Sequence, residues 1–294
     1  MITFFTTAKP FKNQMKVIQV NAIRSWQMLT PSAEILLFGS GVGYVEAAKD
    51  LGITHVPEMD TSELGTPLVN SMIELAGKLG RYPVQVYINC DIILTGDFLL
   101  AIQCIKQSPY LMVGQRWDLD LNQQEINFQE KNWESDLKRQ VNDTGTLHPP
   151  SGSDYFAYQG RIWDTLPRLA VGRPGFDNYL IYHCLKHGVP VIDASRIATV
   201  VHQKHDYSHV AGGAKGLWNG VEARSNYHFD YIITLVDADW MLSPQGDVQR
   251  NGRRKIDNIL RTWLLLSTNG LWKILLRAAL KIITVLKNAF PEKT

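Results

Sequence analysis

The feature that most constrains this chain is an apolar run at residues 84–94, VQVYINCDIIL, which is interrupted by Asn89, Cys90 and Asp91. A run of this length, rich in apolar and β-branched residues, predicts a strand that is buried on both faces, as in parallel sheets. A buried carboxylate is costly unless it is paired or bound to a metal, and open α/β sheets bind ligands at the carboxyl ends of their strands. We therefore predict that Asp91 is a functional residue.

Segments with strand and helix patterns alternate along the chain before this run. Strands are predicted at residues 2–7, 35–38 and 54–58, with one helix ending near residue 29 and another at 66–79. This order is typical of βαβ units, which build mainly parallel sheets. We predict an α/β, Rossmann-like domain at residues 1–215, with a mainly parallel central sheet flanked by helices. Within it, the polar residues 122–147 are interpreted as an insertion or flap near the sheet edge.

Positive charge is concentrated at the C-terminal end of the chain. The formal net charge of the 294 residues is only +2, which argues against nucleic acid as an obligate partner. Residues 250–294 contain ten Lys or Arg and two acidic residues, a local charge of +8, which leaves −6 for the first 249 residues. The basic character therefore belongs to a C-terminal extension, residues 216–294.

Cysteine usage and the N-terminal sequence favour a cytoplasmic protein. Cys90, Cys104 and Cys184 are odd in number and lack metal-site spacing, so reduced thiols are expected. The first residues, MITFFTTAKPF, lack the positively charged n-region of a signal peptide and already have the pattern of a strand, so no signal peptide is predicted. Charges interrupt the longest apolar stretches, so no membrane span is predicted either.

Three segments have the spacing of paired metal ligands. They are Asn89-Cys90-Asp91, Asp118-Leu119-Asp120 and Asp237-Ala238-Asp239. Mg²⁺ and Mn²⁺ commonly bind one or two carboxylates together with the oxygens of a diphosphate. Only the first segment ends a predicted central strand, so Asp91 is the preferred candidate. Its alternative is an ordinary turn residue after a strand.

Asp177 and His202 are two further candidates. Asp177 opens a predicted helix at residues 178–186, where an Asp can simply be a cap. A carboxylate at a helix N-terminus is also expected to have a lowered pKa and to stay ionised, the state that a general base needs. His202 ends a predicted strand and, with His205 and His209, suggests a ligand loop; an ordinary polar strand end is the alternative.

The C-terminal extension is predicted to form amphipathic helices at residues 255–290. Lys273, Arg277 and Lys281 recur every four residues and form one basic stripe on an otherwise apolar helix. Such a helix fits the interface of a bilayer whose anionic lipids attract its cations. We predict peripheral association with the inner membrane face. A helix packed on the domain, or on a second subunit of a homo-oligomer, would have a similar pattern.

Seven short motifs follow one another along residues 1–215. They are TTAKPF, GTPLV, the strand ending in NCD, GQRWDLD, SGSDYF, GRPGFDNYL and the late histidines. In this order they resemble the GT-A-fold glycosyltransferases, and the family 2-like members in particular. The resemblance implies a GT-A fold and transfer of a sugar from a nucleoside diphosphate-sugar to the hydroxyl of a saccharide or lipid-linked acceptor, in polysaccharide or glycolipid assembly.

The resemblance also implies roles on the donor side of the site. A UDP-sugar is the favoured donor, and Mn²⁺ or Mg²⁺ is the implied cofactor. Asp91 and His202 are implied as its ligands. The implied donor and cofactor contacts are Thr6, Thr7, Lys9, Thr66, Asn89 and Asp91.

On the acceptor side, the resemblance implies that Asp177 is the general base. Asp154 would orient hydroxyl groups, and Trp117 would offer a flat face to a sugar ring. Asn89 stands where the family has its first carboxylate, so one ligand charge is missing. Two alternatives therefore stay open: a nucleotidyltransferase, although TTAKPF is poor in the glycine of a phosphate loop, and a catalytically idle sugar-binding or scaffold protein of the same fold.

Overall fold

The computed structural model describes residues 1–30, 33–122, 124–205, 220–227, 233–252, 259–260, 262–264, 267 and 270–289, with side chains of the last range to residue 283. His209 and the Gly212-Gly213 pair, which the sequence places beside the late histidines, lie outside the described residues, as do parts of the predicted tail.

Thirteen strands and eight helices are described in this part of the chain. The strands are β1 Ile2–Thr7, β2 Glu34–Phe38, β3 Thr54–Val56, β4 Val84–Ile88, β5 Ile92–Leu94, β6 Tyr110–Val113, β7 Trp117–Leu119, β8 Thr146–Leu147, β9 Tyr155–Gln159, β10 Val191–Asp193, β11 Val200–Gln203, β12 Trp240–Leu242 and β13 Val248–Arg250. The helices are α1 Asn13–Leu29, α2 Tyr44–Leu51, α3 Val69–Leu79, α4 Gly96–Cys104, α5 Trp133–Thr144, α6 Phe176–Lys186, α7 Val221–Asn226 and α8 Gly270–Ala289.

Nine of the strands form one sheet in the order β13-β12-β10-β6-β9-β4-β1-β2-β3. The pairs β3-β2, β2-β1 and β1-β4 are parallel, as are β6-β10 and β10-β12. The strand β9 runs antiparallel between β4 and β6, and β13 is antiparallel at one edge. This mainly parallel sheet, flanked by helices, confirms the fold predicted from the sequence.

Consecutive side chains of β1 enter two different cores, because strand side chains alternate between faces. Phe4 stacks on Trp26 of α1 at 5.8 Å between ring centroids, whereas Phe5 packs against Tyr87 on the other face. Both phenylalanines are fully buried. The central strands are therefore covered on both sides, as their apolar composition predicts.

The run at residues 84–94 forms two strands rather than one. Asn89, Cys90 and Asp91 turn the chain out of the main sheet, and β5 then joins a four-stranded sheet in the order β5-β11-β7-β8. In this second sheet β11 lies between β5 and β7. His202 belongs to β11, so it lies within a strand rather than after one. The polar trio thus lies where the two sheets meet.

The predicted domain boundary at residue 215 needs a correction, because the main sheet continues beyond it with β12 and β13 at its edge. Residues 122–147, predicted as an insertion or flap, contain α5, whose Leu137 and Val141 pack against Leu119 and Ile93 in a small core of their own. Short strands of three residues each carry too little pattern to be predicted from sequence.

Candidate active site

Asn89 is fixed in place by its two neighbours. Its Nδ2 donates to Asp154 Oδ1 at 2.6 Å, and its Oδ1 accepts from the Tyr87 hydroxyl at 2.8 Å. Its backbone N–H also donates to the carbonyl of Asp154 at 2.9 Å. An amide therefore suits position 89, because it can donate to a carboxylate that a second carboxylate would repel.

Asp91 meets two histidines at the junction of the sheets. Its Oδ2 lies 3.1 Å from His205 Nε2 and 3.8 Å from His202 Nε2. Burial alone would raise the pKa of Asp91, but His202 and His205 hold that pKa well below its usual range. The Oδ1 atom of Asp91 is buried and has no hydrogen-bond partner among the described residues. Asp91 is therefore an ionised carboxylate with one oxygen left for a ligand.

Asp118 orients the ring of His202. Its Oδ1 lies 3.0 Å from His202 Nδ1, and its Oδ2 lies 2.9 Å from His148 Nδ1. Burial would raise the pKa of Asp118, but these hydrogen bonds and the Arg116 guanidinium lower it well below its usual range. An ionised carboxylate only accepts hydrogen bonds, so Nδ1 of His202 carries a proton. The Nε2 atom then faces Asp91.

These side chains fit a divalent cation. Asp91, His202 and His205 each present one ligand atom, and the three atoms lie within 4.8 Å of one another. The buried Oδ1 of Asp91, without a partner among the described residues, is the kind of atom that an ion would satisfy. A histidine ligand that donates its other ring nitrogen to a carboxylate, as His202 does to Asp118, is common in metal sites.

Asp177 is the second carboxylate of the site and has the opposite electrostatics. Its Oδ2 accepts from the backbone N–H of Ser153 at 3.0 Å, at the start of α6. Burial raises the pKa of Asp177 to about 6, and the nearby Asp154 charge adds to this effect. The prediction of a lowered pKa is therefore wrong, because desolvation outweighs the helix N-terminus. A pKa near 6 still leaves Asp177 mostly ionised at pH 7.

The loop after β1 is held rigidly beside these groups. The Tyr44 hydroxyl hydrogen-bonds the backbone of Ala8, accepting from its N–H at 3.0 Å and donating to its carbonyl. Gln19 of α1 clamps Lys9, accepting from its N–H at 2.6 Å and donating to its carbonyl at 2.9 Å. A ligand therefore meets a preformed loop at residues 7–9.

A cavity of about 580 Å³ brings most of the predicted site residues together. It opens at the carboxyl ends of β1 and β4, where parallel sheets usually bind ligands. Seven of the ten residues to which the sequence assigns a role line it, namely Thr7, Lys9, Asn89, Asp91, Asp154, Asp177 and His202. A more open hollow of about 810 Å³ beside α4 and β13 contains none of them.

Three expected contacts are not at this cavity. The Thr6 hydroxyl is buried and donates to the Ile88 carbonyl at 2.6 Å, so it links β1 to β4. The Thr66 hydroxyl donates to Glu222 at 3.0 Å, behind the loop that carries Arg173. Trp117 packs against the core beneath α5 instead of facing a sugar ring.

Several lining residues were not singled out by sequence reasoning. Arg116 pairs with both Asp154 and Asp118, and His148 binds the same Asp118. The motif GQRWDLD places Arg116 two residues before Asp118, so alternation along a strand could have brought this arginine to the same face. His148 and Gln19 carry no comparable signal, because only the tertiary fold brings them here.

No family model and no curated protein matches the chain. Solved structures do match it. A mycobacterial protein is 14% identical at a TM-score of 0.41, covering 69% of this chain and 65% of its own. Glucosyl-3-phosphoglycerate synthase of Mycobacterium tuberculosis is 15% identical at a TM-score of 0.46, covering 77% of each chain.

A third solved structure is a mannosyltransferase from Pyrobaculum calidifontis in complex with GDP-Man and Mn²⁺. It is 10% identical at a TM-score of 0.42, and the match covers 68% of this chain and 56% of that one. This chain thus spans less than two thirds of the mannosyltransferase and of the mycobacterial protein. Of these three structures, one is a transferase by its name, the mannosyltransferase. Every TM-score lies below 0.5, so we assign roles from the chain's own residues.

Proposed function

We propose that this chain is a glycosyltransferase that moves a sugar from a nucleoside diphosphate-sugar to an acceptor hydroxyl. The observation that carries the proposal is one cavity that holds both a cation-binding set and a second carboxylate with a raised pKa. In many active sites, two carboxylates have surroundings that shift their pKa values in opposite directions. One of them then stabilises charge and the other transfers a proton. A UDP-sugar is the first donor to test, because the sequence resemblance favours it.

On the donor side, Asp91 and His202 would hold Mn²⁺ or Mg²⁺. A divalent cation at this position supplies the positive charge that stabilises a leaving diphosphate. The clamped loop at residues 7–9 would bind the nucleotide without first having to order itself, and Lys9 adds a positive charge beside Asp91. Arg116 offsets one of the two negative charges of Asp154 and Asp118, which weakens the repulsion between these carboxylates and the diphosphate.

On the acceptor side, Asp177 would take the proton of the attacking hydroxyl. Its pKa of about 6 is close to neutral pH, and a general base is most effective when its pKa lies near the pH of the reaction. The Ser153 N–H donates to one carboxylate oxygen of Asp177 and so fixes the orientation of the group that would accept the proton. Asp154 already binds Asn89 and Arg116. It would therefore hold these two side chains in place in the cavity rather than contact the hydroxyl groups of the substrate.

The position of Asn89 weakens the case for an idle sugar-binding protein. That alternative rests on the missing carboxylate at this position. The contacts of Asn89 with Asp154 and Tyr87 supply a structural reason for an amide there, so its presence does not point to a lost activity. The catalytic carboxylates of the proposal, Asp91 and Asp177, are both present.

Release of nucleoside diphosphate from a panel of sugar nucleotides, with Mn²⁺ present, tests this proposal. We expect turnover with one donor, and we expect Asp177→Asn to lower the rate by about 10²- to 10⁴-fold, as for loss of a general base. Asp164→Asn changes an exposed carboxylate outside the cavity and should keep the full rate. No release from any donor, or full turnover in Asp177→Asn, would overturn the proposal.

We also propose that α8 attaches the protein to an anionic membrane surface. Leu276 and Leu280 pack with Leu264, so one side of the helix is occupied. The side that remains exposed carries Leu271, Ile274, Leu275 and Ile282. By helical spacing, Arg277 and Lys281 follow one edge of this apolar face, a pattern that fits the headgroup region of a bilayer. Among the described residues, no helix is long and apolar enough to cross a membrane.

A further inference from the structure

We propose that the chain binds a first-row transition cation through three of its own side chains, Asp91, His202 and His205, before any nucleotide is present. The proposal rests on the proposed function, because the same cation would meet the diphosphate of the donor. It goes beyond that function in naming His205 as a ligand, in excluding Asn89, and in stating which cations the site prefers.

Asn89 is committed to other partners. Its amide nitrogen donates to Asp154 and cannot bind a cation, and its oxygen accepts from the Tyr87 hydroxyl at 2.8 Å. The two contacts fix the amide from both ends. A ligand set that relied on Asn89 would have to break one of these half-buried hydrogen bonds and leave its partner unsatisfied.

His205 lies where a replacement ligand is needed. Its Nε2 is 3.1 Å from Asp91 Oδ2, and the rings of His202 and His205 are 5.4 Å apart between centroids. Two ligands that bind one ion at about 2.1 Å each can lie up to about 4.2 Å apart. The distances of 3.1 Å and 3.8 Å from Asp91 Oδ2 to the two Nε2 atoms fall within that span.

Two features show that the set is built for an ion rather than for a simple His–Asp hydrogen bond. The Asp118 carboxylate fixes the ring of His202 with Nε2 towards Asp91. The Oδ1 of Asp91 is buried and without a hydrogen-bond partner among the described residues, although a hydrogen bond from His205 reaches the other oxygen. An ion held between Asp91 and the two histidines would satisfy this second oxygen.

The chemistry of the three ligand side chains determines which cation binds. Two imidazoles and one carboxylate suit Mn²⁺, Fe²⁺, Co²⁺ and Zn²⁺, whereas Mg²⁺ prefers oxygen ligands and keeps its waters. Three protein ligands also allow binding without help from diphosphate oxygens. We therefore expect Co²⁺ to bind the nucleotide-free protein at least on the order of 100-fold more tightly than Mg²⁺.

The test is a Co²⁺ titration of the full-length protein without nucleotide, followed by visible absorption and by calorimetry, with Mg²⁺ as competitor. One bound Co²⁺ with a ligand-field spectrum is expected. Both His205→Ala and Asp91→Asn should weaken binding by at least about 10-fold. Asn89→Ala should retain binding, as should His187→Ala, which removes an exposed histidine outside the cavity.

Failure of this inference can be told apart from failure of the proposed function. The ligand set is overturned if His205→Ala keeps its Co²⁺ affinity, even if sugar transfer is observed. It is also overturned if Asn89→Ala loses Co²⁺ binding and His205→Ala does not. An absence of Co²⁺ binding to the nucleotide-free protein overturns it as well. Conversely, Co²⁺ binding through the three residues, without turnover of any sugar nucleotide, supports the site while contradicting the transferase.

Discussion

At the scale of single residues, the two carboxylates of the cavity are held in different states by their surroundings. Asp177 is buried and Asp91 is half-buried, and removal from water raises the pKa of a carboxyl group. At Asp91, the nearby His202 and His205 outweigh burial and keep the carboxyl group ionised. At Asp177, no cation is among the groups that shift the pKa, and burial raises it to about 6. The first suits cation binding and the second suits proton transfer.

The raised pKa of Asp177 predicts a dependence of stability on pH. Its folded pKa of about 6 lies above the ordinary value of 3.8, so folding favours the protonated form. Stability from this group is therefore complete below pH 4 and falls as the pH rises through 6, by up to about 3 kcal/mol. The Asp177→Asn variant lacks this loss.

Chemical denaturation at pH 5 and pH 8 measures this effect. We expect the stability of Asp177→Asn relative to the native protein, measured as the difference in unfolding free energy, to be about 1 kcal/mol greater at pH 8 than at pH 5. Asp164→Asn is the matched control, since this residue is exposed and should show no such difference. A difference of the opposite sign would mean that Asp177 is stabilised as a carboxylate and has a lowered pKa.

A carboxylate at position 89 should destabilise the protein. In Asn89→Asp, two carboxylates would face each other across the 2.6 Å contact that now joins Asn89 to Asp154. We expect a loss of about 1–3 kcal/mol at pH 8, and a smaller loss at pH 5, where one carboxyl can protonate. The double variant Asn89→Asp with Asp154→Asn restores one donor and should recover part of the stability. Equal stability of the single variant and the native protein would contradict the structural role of Asn89.

At the scale of elements, α7 supports the loop that leads into α6. Asn226 is fully buried and bonds this loop three times. It donates to the carbonyls of Ala170 and Arg173 at 2.9 Å and 3.2 Å, and it accepts from the Ala170 N–H at 2.9 Å. Because α6 begins at Phe176, this support also fixes where Asp177 lies.

Loss of the Asn226 side chain should therefore affect both stability and the active site. In Asn226→Ala, buried backbone groups of the loop lose their partners, and we expect a loss of about 2–3 kcal/mol in unfolding free energy. Asn142→Ala, on the exposed side of α5, should change stability by less than about 0.5 kcal/mol. A similar loss in both variants, measured by urea denaturation, would show that Asn226 has no special role.

Some elements follow from local sequence and others do not. The pattern of β1, the buried strand β4 and the entry to α6 could be predicted, because each has a long apolar run or a glycine-rich start. The separation of β5 from β4 could not, since the direction of the chain after Asp91 depends on pairing with β11, more than 100 residues later. Likewise, Asp154 meets Asn89 only because β9 inserts antiparallel beside β4.

At the scale of the whole molecule, the site is assembled where two sheets meet. The main sheet brings the loop after β1, Asn89 and Asp154 to one edge, and the second sheet contributes Asp118 and His202. Sequence reasoning found Asp91, Asp154, Asp177 and His202 from their motifs. It also named Asp118 as a candidate, but it could not find the contacts of Asp118 with His148 and His202, because these join separate elements.

The exposed apolar face of α8 predicts binding to anionic vesicles. Reversing its charges, as in Lys273→Glu, Arg277→Glu and Lys281→Glu together, should weaken cosedimentation of the full-length protein more than about 100-fold, since each cation near the surface contributes about 1 kcal/mol. The control reverses three exposed lysines of the sheet domain, Lys78, Lys106 and Lys131, and should retain binding. Equal binding to neutral and anionic vesicles would contradict the electrostatic part of this proposal.

Thermal stability of the protein in the presence of nucleoside diphosphates and sugar nucleotides, with and without Mn²⁺, shows whether Asp91 belongs to a nucleotide-sugar site. A ligand at 100 times its dissociation constant should stabilise the fold by about 2.7 kcal/mol. We predict an increase in melting temperature that requires both Mn²⁺ and one particular nucleotide. Asp91→Asn should lose this increase. Asp120→Asn, which changes an exposed carboxylate, should retain it. No shift with any nucleotide, or an equal shift in Asp91→Asn, would contradict a nucleotide-sugar site at Asp91.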